Sequence, residues 1–401
     1  MTTKPELLSP ASDFTSLRAA INAGADAVYF GVKGLNMRVT SRNFSVSEIK
    51  KVVEKCHRDD VRAYLALNVL MYDSELDKIS RIVSKAKQAG VDAVICWDPA
   101  VIQMVRKARI PLHISTQASV SNSSAAKFYK DIGAERIILA RELSLKQIKE
   151  IRKNAKIQAE VFIHGAMCVS VSGRCFMSQE IFGRSANRGD CLQPCRRKYE
   201  VILKDSEEGH ELELGKDYVM SPKDLCTLPF IEKLIRAGID SFKIEGRARS
   251  PEYVKAVTKA YREAIDAFHE GRLTRELKSG FMKKLGTVYN RDFSPGFYLG
   301  KPLKEWTSPE TKATEKKVYI GIVKNYYPKP SVAEIKLEAH RLNKGDRIMI
   351  QGSTTGVIEQ RAASMQISNN AVEKAEKGKS VGLKVKDKVR RNDKVFLIRK
   401  R

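Results

Sequence analysis

The sequence predicts an α/β protein, a (β/α)8 barrel of the TIM type followed by a small all-β barrel. Three observations lead to this fold class. A glycine-containing phrase recurs after amphipathic stretches, short apolar runs alternate with helical patterns through residues 1–272, and short alternating strands replace them after residue 316. Strands that alternate with helices are typical of a parallel sheet, and a series of short alternating strands is typical of a separate β domain.

The repeated phrase marks the joints between helices and strands. It reads Ala-Gly-Ala-Asp-Ala at residues 23–27, and related versions occur at 89–93, 132–136 and 237–241. Glycine ends a helix in the left-handed conformation, and the apolar run after it is short enough to be a buried parallel strand. Each phrase therefore predicts a helix followed by a strand.

Eight apolar runs are predicted to be the strands of the barrel. They lie at residues 7–9, 27–30, 62–67, 92–96, 111–115, 136–140, 158–163 and 240–244. Eight strands that alternate with helices favour a closed barrel over an open doubly wound sheet, which usually has fewer strands.

The carboxyl ends of these strands are the expected place for function, as in other barrels of this kind. Glu160 lies within the seventh strand and is expected to point into the barrel. Any one polar residue at a strand end can instead be a helix cap or a loop hydrogen bond, so the convergence of several carries the prediction. The polar residues at the strand ends are Asn68, Thr116, Gln117, Arg141, Glu142, His164, Glu245 and Arg247.

Four of the chain's seven cysteines lie in residues 165–222, an insertion after the seventh strand. They are Cys168, Cys175, Cys191 and Cys195, and Cys226 is expected in the first turn of a helix that begins near Asp224. Such density without a secretion signal predicts a soft metal rather than disulfides. The irregular spacing leaves zinc and an iron–sulfur cluster both open, with buried cysteines as a third interpretation.

Residues 273–315 are predicted to be a linker, and residues 316–401 a small β-barrel. Residues 311–401 contain 22 Lys+Arg and 9 Asp+Glu, so 22 − 9 = +13 of the net charge of +26 lies there. This segment resembles the second domain of translation GTPases in residues 343–348, 352–356, 364–366 and 377–383. A basic barrel of this kind is suited to gripping RNA, and a structural cap with a solvated basic face is the alternative.

The charge of the whole chain indicates a polyanionic partner. Lys+Arg number 73 and Asp+Glu 47, and basic side chains that neutralise phosphates release condensed counterions. RNA, DNA and an acidic membrane surface all fit. No run approaches the roughly 18 apolar residues of a membrane span, and the first residues are not of the signal-peptide type, so we expect a cytoplasmic protein.

Three segments resemble the signature of the U-32 peptidase family, long labelled collagenase-like. They are residues 160–168, 172–178 and 187–196, in which glycine, histidine and cysteine positions all match. The resemblance extends over most of residues 4–400. It implies the barrel fold and one of several activities associated with the family.

The resemblance implies oxygen-independent hydroxylation, either of a tRNA wobble uridine to 5-hydroxyuridine, of a cytidine in 23S ribosomal RNA, or of a ubiquinone precursor. It also implies a 4Fe–4S cluster and prephenate as the hydroxyl donor, and an electron-donor protein is a candidate partner. By the family pattern the cluster ligands are Cys168, Cys175, Cys191 and Cys226, and Cys195 is left over as a reserve ligand or a nearby thiol.

The net charge favours RNA over a quinone precursor, and the C-terminal β-barrel favours tRNA by analogy alone. We expect Arg141, Arg174 and Arg247 to hold a dicarboxylate such as prephenate, because guanidinium groups match carboxylates. Asn68 and Gln117 are further candidates for substrate binding. The candidates for proton transfer are Glu142, Glu160, His164 and Glu245.

Two other functions remain open at the level of sequence. A thiol peptidase would pair His164 with Cys168, although a cysteine that ligates a cluster cannot also attack a peptide bond. The H-E-x-x-H motif of metalloproteases does not occur. The third function is an RNA-binding protein with a structural metal.

Overall fold

The structure is a computed structural model that describes residues 3–39, 41–205, 207–209, 211–300 and 306–401. Eight parallel strands form a closed barrel, as the sequence predicts. The last of them, β11, pairs with both the first strand and the seventh, which closes the sheet. The barrel strands are β1 (Glu6–Ala11), β2 (Ala27–Gly31), β3 (Arg62–Ala66), β4 (Ala93–Cys96), β5 (Leu112–Ile114), β6 (Ala134–Ile138), β7 (Gln158–Gly165) and β11 (Ser241–Ile244).

Helices surround the barrel and bury their apolar faces against it. The long α9 follows β11 and packs against α1. The helices around the barrel are α1 (Phe14–Asn22), α2 (Ile49–His57), α3 (Leu76–Gln88), α4 (Pro99–Lys107), α5 (Ser123–Asp131), α6 (Leu145–Ala155), α8 (Ile231–Arg236) and α9 (Pro251–His269).

The repeated phrase has a clear structural role. Its glycines adopt positive φ, as at Gly24 with φ of +86°, and end the helix. The acidic residue that follows accepts a hydrogen bond from the backbone amide of a neighbouring strand. Asp26 accepts from Leu7 at 2.7 Å, Asp92 from Ala63 at 2.7 Å and Asp240 from Ala159 at 2.8 Å. These aspartates therefore fix adjacent strands at the amino end of the barrel.

The insertion after β7 contains α7 (Met177–Phe182) and a hairpin of β8 (Tyr199–Lys204) with β9 (Glu211–Asp217). The helix expected from Asp224 is absent. Residues Asp224–Cys226 form β10, which pairs antiparallel with β7, and α8 begins only at Ile231. The Ser-Pro-Lys-Asp sequence resembles a helix start, but pairing with β7 gives the backbone of this segment its hydrogen bonds and overrides that local signal.

Part of the expected linker packs against the barrel. It contains α10 (Arg275–Thr287), whose Phe281 and Leu285 are buried in the barrel core. It also contains β12 (Phe293–Ser294), which pairs with β10. These contacts extend the body of the barrel region beyond residue 272, and the division of the chain into domains stays a prediction.

The C-terminal region is all-β, as predicted, and its strands form an antiparallel sheet with its own apolar core. It contacts α1 through a small cluster of Ala19, Met349, Val357 and Ile398. None of the helices in the described residues has the length and apolar character needed to cross a membrane. The strands are β13 (Glu315–Tyr327), β14 (Val332–Leu337), β15 (Leu342–Asn343), β16 (Arg347–Gly352), β17 (Gly356–Arg361), β18 (Met365–Ile367), β19 (Asn370–Ala371), β20 (Lys374–Ala375), β21 (Ser380–Lys384) and β22 (Lys394–Lys400).

Candidate active site

A cleft of about 440 Å³ opens at the carboxyl ends of the barrel strands and is covered by the insertion. This volume suits a small-molecule substrate. Among the described residues, eight cationic side chains line the cleft against two carboxylates, Glu142 and Glu245. The cationic residues are Lys223, Lys243 and the arginines 38, 141, 196, 247, 249 and 291.

Four cysteines of the insertion line this one cleft, namely Cys168, Cys175, Cys191 and Cys195. The backbone amide of Gln193 donates a hydrogen bond to the sulfur of Cys191 at 3.3 Å, and Cys168 lies 3.0 Å from the hydroxyl of Ser170. Burial raises the pKa of the Cys195 thiol to about 11, and the neighbouring cysteines add to the effect. The sequence prediction that the insertion brings these thiols to the carboxyl face agrees with this geometry.

Cys226 lies outside the cleft. Its side chain is buried, and its sulfur is 3.7 Å from the hydroxyl of Tyr261 on α9 and 3.7 Å from the sulfur of Met282 on α10. It is absent from the residues that line the cleft, whereas Cys195 is among them. The structure thus brings three of the four ligands implied by the family resemblance together, and it adds Cys195 rather than Cys226.

The cysteines of the cleft are candidate donors for an inorganic centre. In the described parts of the chain, no three His, Cys, Asp or Glu side chains are arranged to hold one metal ion. An iron–sulfur cluster is wider than an ion, and its usual ligands are four cysteine thiolates. Four thiols that line one cleft therefore fit the donor set of such a cluster.

Glu245 and Arg38 form an ion pair on the cleft wall. The Arg38 guanidinium donates to one Glu245 oxygen from Nε at 3.0 Å and from NH2 at 2.8 Å. Burial alone would raise the pKa of Glu245, but Arg38, Arg249 and Arg141 outweigh it and lower the pKa to about 2. Glu245 is therefore a fixed negative charge near neutral pH.

Arg141 and Arg247 face the cleft without a carboxylate partner among the described residues. Arg141 donates to the carbonyl of Ala166 at 2.8 Å and lies over the ring of Phe162, 3.9 Å from its centroid. Arg247 donates to the side-chain oxygen of Asn36 at 2.8 Å, and burial lowers its pKa to about 10. Neutral partners hold both guanidinium groups in place, so their charge remains available to an anionic ligand.

Asn68 and Gln117 also line the cleft, as predicted from their positions after β3 and β5. The Asn68 amide donates to Gln117 and to Ser115, each at 3.3 Å. The Ser115 hydroxyl donates to the same Gln117 oxygen. This buried network fixes the direction of both amides, and Thr116 beside them donates to the Leu139 carbonyl at 3.2 Å.

Two further residues of the predicted site, Glu142 and Arg174, do not lie together. Glu142 lines the cleft and is exposed, so its carboxylate is accessible to a ligand. Arg174 lies outside the cleft lining on the exposed face of the insertion, where its guanidinium donates to the Ser119 hydroxyl at 3.0 Å. The structure therefore does not bring Arg174 to Arg141 and Arg247.

Glu160 points into the barrel, as expected, but lies below the cleft rather than on its wall. It is fully buried and accepts from Lys243 at 2.8 Å and from Arg136 at 3.2 Å. Burial opposes its ionisation, yet Lys243 and Arg136 hold the pKa of Glu160 below its ordinary value. Arg136 also pairs with Glu6, so a network of ion pairs runs from Lys243 below the cleft to Glu6 at the amino end of the barrel.

His164 faces away from the cleft. Its ring is packed among Tyr253, Tyr261 and Phe293, and burial lowers its pKa to about 3. It does not line the cleft that holds Cys168. The pair of His164 with Cys168 that a thiol peptidase would need is therefore not formed.

Several residues of the site are missing from the sequence prediction. Arg38 lies in the long segment between β2 and α2, and Arg249 follows Arg247 by two positions. Lys243 is inside β11, where it lines the cleft and also donates to Glu160. Arg38 and Arg249 could have been predicted by the criterion that identified Arg247, because each follows the carboxyl end of a barrel strand.

Fold and site together define a (β/α)8-barrel protein with an arginine-rich, cysteine-lined cleft at the carboxyl ends of its strands. The chain belongs to peptidase family U32, whose model matches residues 12–308.

Relatives that align with most of this chain carry two kinds of name. An uncharacterized protease of Methanocaldococcus jannaschii is 45% identical, and the alignment covers 98% of each chain. A collagenase of Porphyromonas gingivalis is 41% identical and covers 99% of this chain and 98% of its own. The tRNA hydroxylation protein P1 of Bacillus subtilis is 34% identical and covers 88% of this chain and 84% of its own. The names divide between proteolysis and RNA hydroxylation.

Proposed function

We propose that this protein is an iron–sulfur-dependent, oxygen-independent RNA hydroxylase that forms 5-hydroxyuridine in tRNA with prephenate as the hydroxyl donor. The observation that carries the proposal is one cleft that combines four cysteines with unpaired arginines at the carboxyl end of the barrel. The relative named a tRNA hydroxylation protein supports it. The chain's net charge of +26 suits an RNA substrate.

In this proposal the cysteines of the insertion hold the cluster. Cys168, Cys175 and Cys191 are common to the family pattern and to the cleft lining, and the structure favours Cys195 over Cys226 as the fourth ligand. A bound 4Fe–4S cluster supplies either electron transfer or activation of the oxygen donor. The hydrogen bond from the Gln193 amide to Cys191 is of the kind that tunes the potential of such centres.

Arg141 and Arg247 bind the two carboxylates of the donor in this proposal. Both are fixed by neutral partners, and neither forms an ion pair with a carboxylate in the described part of the chain. A dianionic ligand would therefore gain two charge-assisted contacts without displacing a protein carboxylate. Arg38 forms the close ion pair with Glu245, and the charge of Glu245 acts on Arg141 and Arg247 only at longer range.

The RNA base must leave its stack to reach the cleft, because pairing and stacking block access to it. Asn68 and Gln117 are oriented amides on the wall and can hydrogen-bond the edge of a base. Glu142 is the exposed carboxylate of the cleft and is assigned to proton transfer. Glu245 is too strongly held in its ionised form for that role, Glu160 is enclosed, and His164 faces away.

Peptidase activity has weaker support from the site. The names of two relatives suggest it, but the histidine required by a cysteine peptidase is neutral, buried and turned away from Cys168. A 23S ribosomal RNA cytidine hydroxylase would use the same cleft. An RNA-binding protein with a structural metal would not need the unpaired arginines.

Mass spectrometry of RNA nucleosides tests the proposal. We expect 5-hydroxyuridine in tRNA from cells that express the protein, and its absence after deletion of the gene. Complementation with the wild type should restore the nucleoside, whereas the variant Cys191→Ser should not. An unchanged tRNA profile with a missing hydroxycytidine in ribosomal RNA would move the assignment to that substrate, and unchanged profiles in both RNAs would refute hydroxylation.

A further inference from the structure

A second large cavity lies between the barrel and the C-terminal β region. We call it the interdomain groove, and its volume is about 640 Å³. The barrel side contributes Arg18 of α1, Lys55 and Arg58 at the end of α2, and Lys255 and Lys259 of α9. The β side contributes Lys386, Lys388 and Arg390 from the segment between β21 and β22.

The two walls of the groove are held together by specific contacts. Glu252 of α9 accepts hydrogen bonds from Lys317 and from Gln351 of the β region, each at 2.9 Å. Asn22 at the end of α1 donates to the carbonyl of Thr355 at 3.4 Å. The cationic side chains are thus presented by two packed surfaces and not by separate flexible tails.

The charges of the groove are not balanced within it. Its eight cationic side chains face two carboxylates, Asp59 and Asp387. Arg18 pairs with Asp59 at 2.6 Å, and Lys255 is 3.9 Å from Glu359. Among the described residues no ion pair is formed by Lys55, Arg58, Lys386, Lys388 or Arg390.

Like charges in the groove oppose one another. Burial lowers the pKa of Lys55, and the nearby Lys51, Arg58 and Arg18 lower it further. The pKa of Lys255 is likewise lowered by burial, and Lys386 and Lys259 add to this shift while Glu359 opposes it. A bound polyanion would remove this repulsion, which favours occupancy by phosphates.

The groove offers little to a nucleobase. Its one aromatic residue, Phe14, packs against Phe44, and the ammonium groups of Lys51 and Lys55 lie over its ring at 4.9 and 5.9 Å from the centroid. These contacts make the ring a poor platform for stacking of a base. Contacts through phosphates alone give affinity and orientation without reading the sequence.

We propose that the interdomain groove binds the phosphate backbone of the RNA substrate at a site separate from the catalytic cleft. The inference rests on the proposed RNA-directed function and adds the place where the body of the RNA is held. A membrane surface fits less well, because the cations line a recess and none of the strongly exposed large apolar side chains belongs to it. RNA backbone can enter such a recess.

The test measures binding of unmodified tRNA to the full-length protein over a range of salt concentrations. The groove variant is Lys386→Gln with Lys388→Gln, and the matched control is Lys377→Gln with Lys379→Gln, which removes the same charge from exposed residues of the same β region outside the groove. We expect about tenfold weaker binding for the groove variant and a salt slope reduced by about 1.4 to 1.8. The control should bind as the wild type does.

A second variant examines the opposite wall of the groove. Lys55→Gln with Arg58→Gln should weaken tRNA binding to a similar extent, because one backbone would contact both walls. Groove variants that bind tRNA as tightly as the control, or a wild type that prefers anionic lipid vesicles to tRNA, would overturn the inference. Failure of the hydroxylase proposal would be seen separately, as unchanged nucleosides with groove-dependent tRNA binding intact.

Discussion

The two ends of the same barrel differ in how some of their arginines are held, although Arg38 at the carboxyl end is also paired with a carboxylate, Glu245. At the amino end, Glu6, Arg136 and Glu160 are all less than 9% exposed and are joined by ion pairs, and Lys243 reaches Glu160 from the cleft side. At the carboxyl end, guanidinium groups such as that of Arg141 are held by neutral carbonyl or amide oxygens. Charge buried against its counter-charge supports the fold, whereas charge fixed by neutral partners can still attract a ligand.

Neighbouring residues at the carboxyl end of the barrel also differ in the direction of their side chains. The backbone amide of Glu245 donates to the carbonyl of His164 at 2.9 Å, so the two residues are adjacent. Glu245 faces the cleft and Arg38, while His164 faces outward toward aromatic rings of α9 and the β12 segment. Position at a strand end is thus insufficient to identify a site residue, and the direction of the side chain decides.

The largest effect on stability is expected at the amino end of the barrel, where the buried charges are paired. Arg136→Met removes the partner of two buried carboxylates, and loss of one member of a buried ion pair costs about 3 to 5 kcal/mol. The free energy of unfolding, measured by denaturation in urea, should fall by that amount. Adding Glu160→Gln to Arg136→Met should recover part of the loss, because it removes an uncompensated charge.

Arg141→Met is the matched variant at the carboxyl end of the barrel. It should lower the free energy of unfolding by no more than about 1 kcal/mol, because no ion pair is broken. Equal losses for Arg136→Met and Arg141→Met would contradict the distinction between the two ends.

The next effect is on catalysis and is confined to the cleft. Arg141→Gln and Arg247→Gln should each reduce kcat/KM for prephenate, the proposed donor, by about 100-fold, the expected cost of losing a charge-assisted contact to a carboxylate. Arg174→Gln is the control, since it removes the same charge from the exposed face of the insertion. A loss at Arg174 as large as that at Arg141 would show that general charge, and not cleft geometry, governs donor binding.

The fold was more predictable than the site. A glycine followed by an acidic residue and an apolar run correctly predicted the helix-to-strand joints at Asp26 and Asp240. At these joints the end of the helix requires glycine and the pairing of strands requires the acidic residue, so local and long-range requirements agree. The start of a helix at Asp224 was predicted wrongly, because a local helix signal gave way to pairing of β10 with β7. Long-range pairing of this kind leaves little trace in a short window of sequence.

The site depends on side-chain directions, which sequence specifies poorly. Asn68, Gln117 and Arg247 were identified by their position after strands and do line the cleft. Glu160 and His164 met similar sequence criteria, yet one is locked in ion pairs and the other is turned outward. What separates these groups is contact with residues far away in the chain.

The content of the proposed iron–sulfur cluster gives the next comparison, between a cysteine in the cleft and one outside it. After anaerobic purification, Cys195→Ser should reduce bound iron and sulfide by about tenfold, because it removes a proposed ligand. Cys226→Ser should keep the cluster, since its sulfur contacts Tyr261 and Met282 instead. Iron and sulfide assays with absorption spectra measure both. Loss of the cluster only in Cys226→Ser would restore the ligand set implied by the family pattern.

The last expected effect concerns pH and His164. Its pKa is about 3 in the folded protein, against about 6.5 for an unperturbed histidine, so the unfolded chain binds the additional proton between these values. Stability should therefore fall as pH drops below about 6.5, with this residue contributing at most about 1.4 kcal/mol per pH unit. His164→Gln should flatten that fall, whereas the same substitution at the exposed His269 should not.

The pH range from 6.5 to 5 isolates the histidine from the carboxylates. Glu245 has a pKa of about 2 in the folded protein, so its own contribution to stability is lost only at lower pH, below about 4.5. Denaturation of His164→Gln and of the wild type at several pH values in the upper range measures the difference in slope. Parallel slopes would mean that His164 is accessible to protons in the folded state, and its exclusion from the cleft chemistry would then have to be withdrawn.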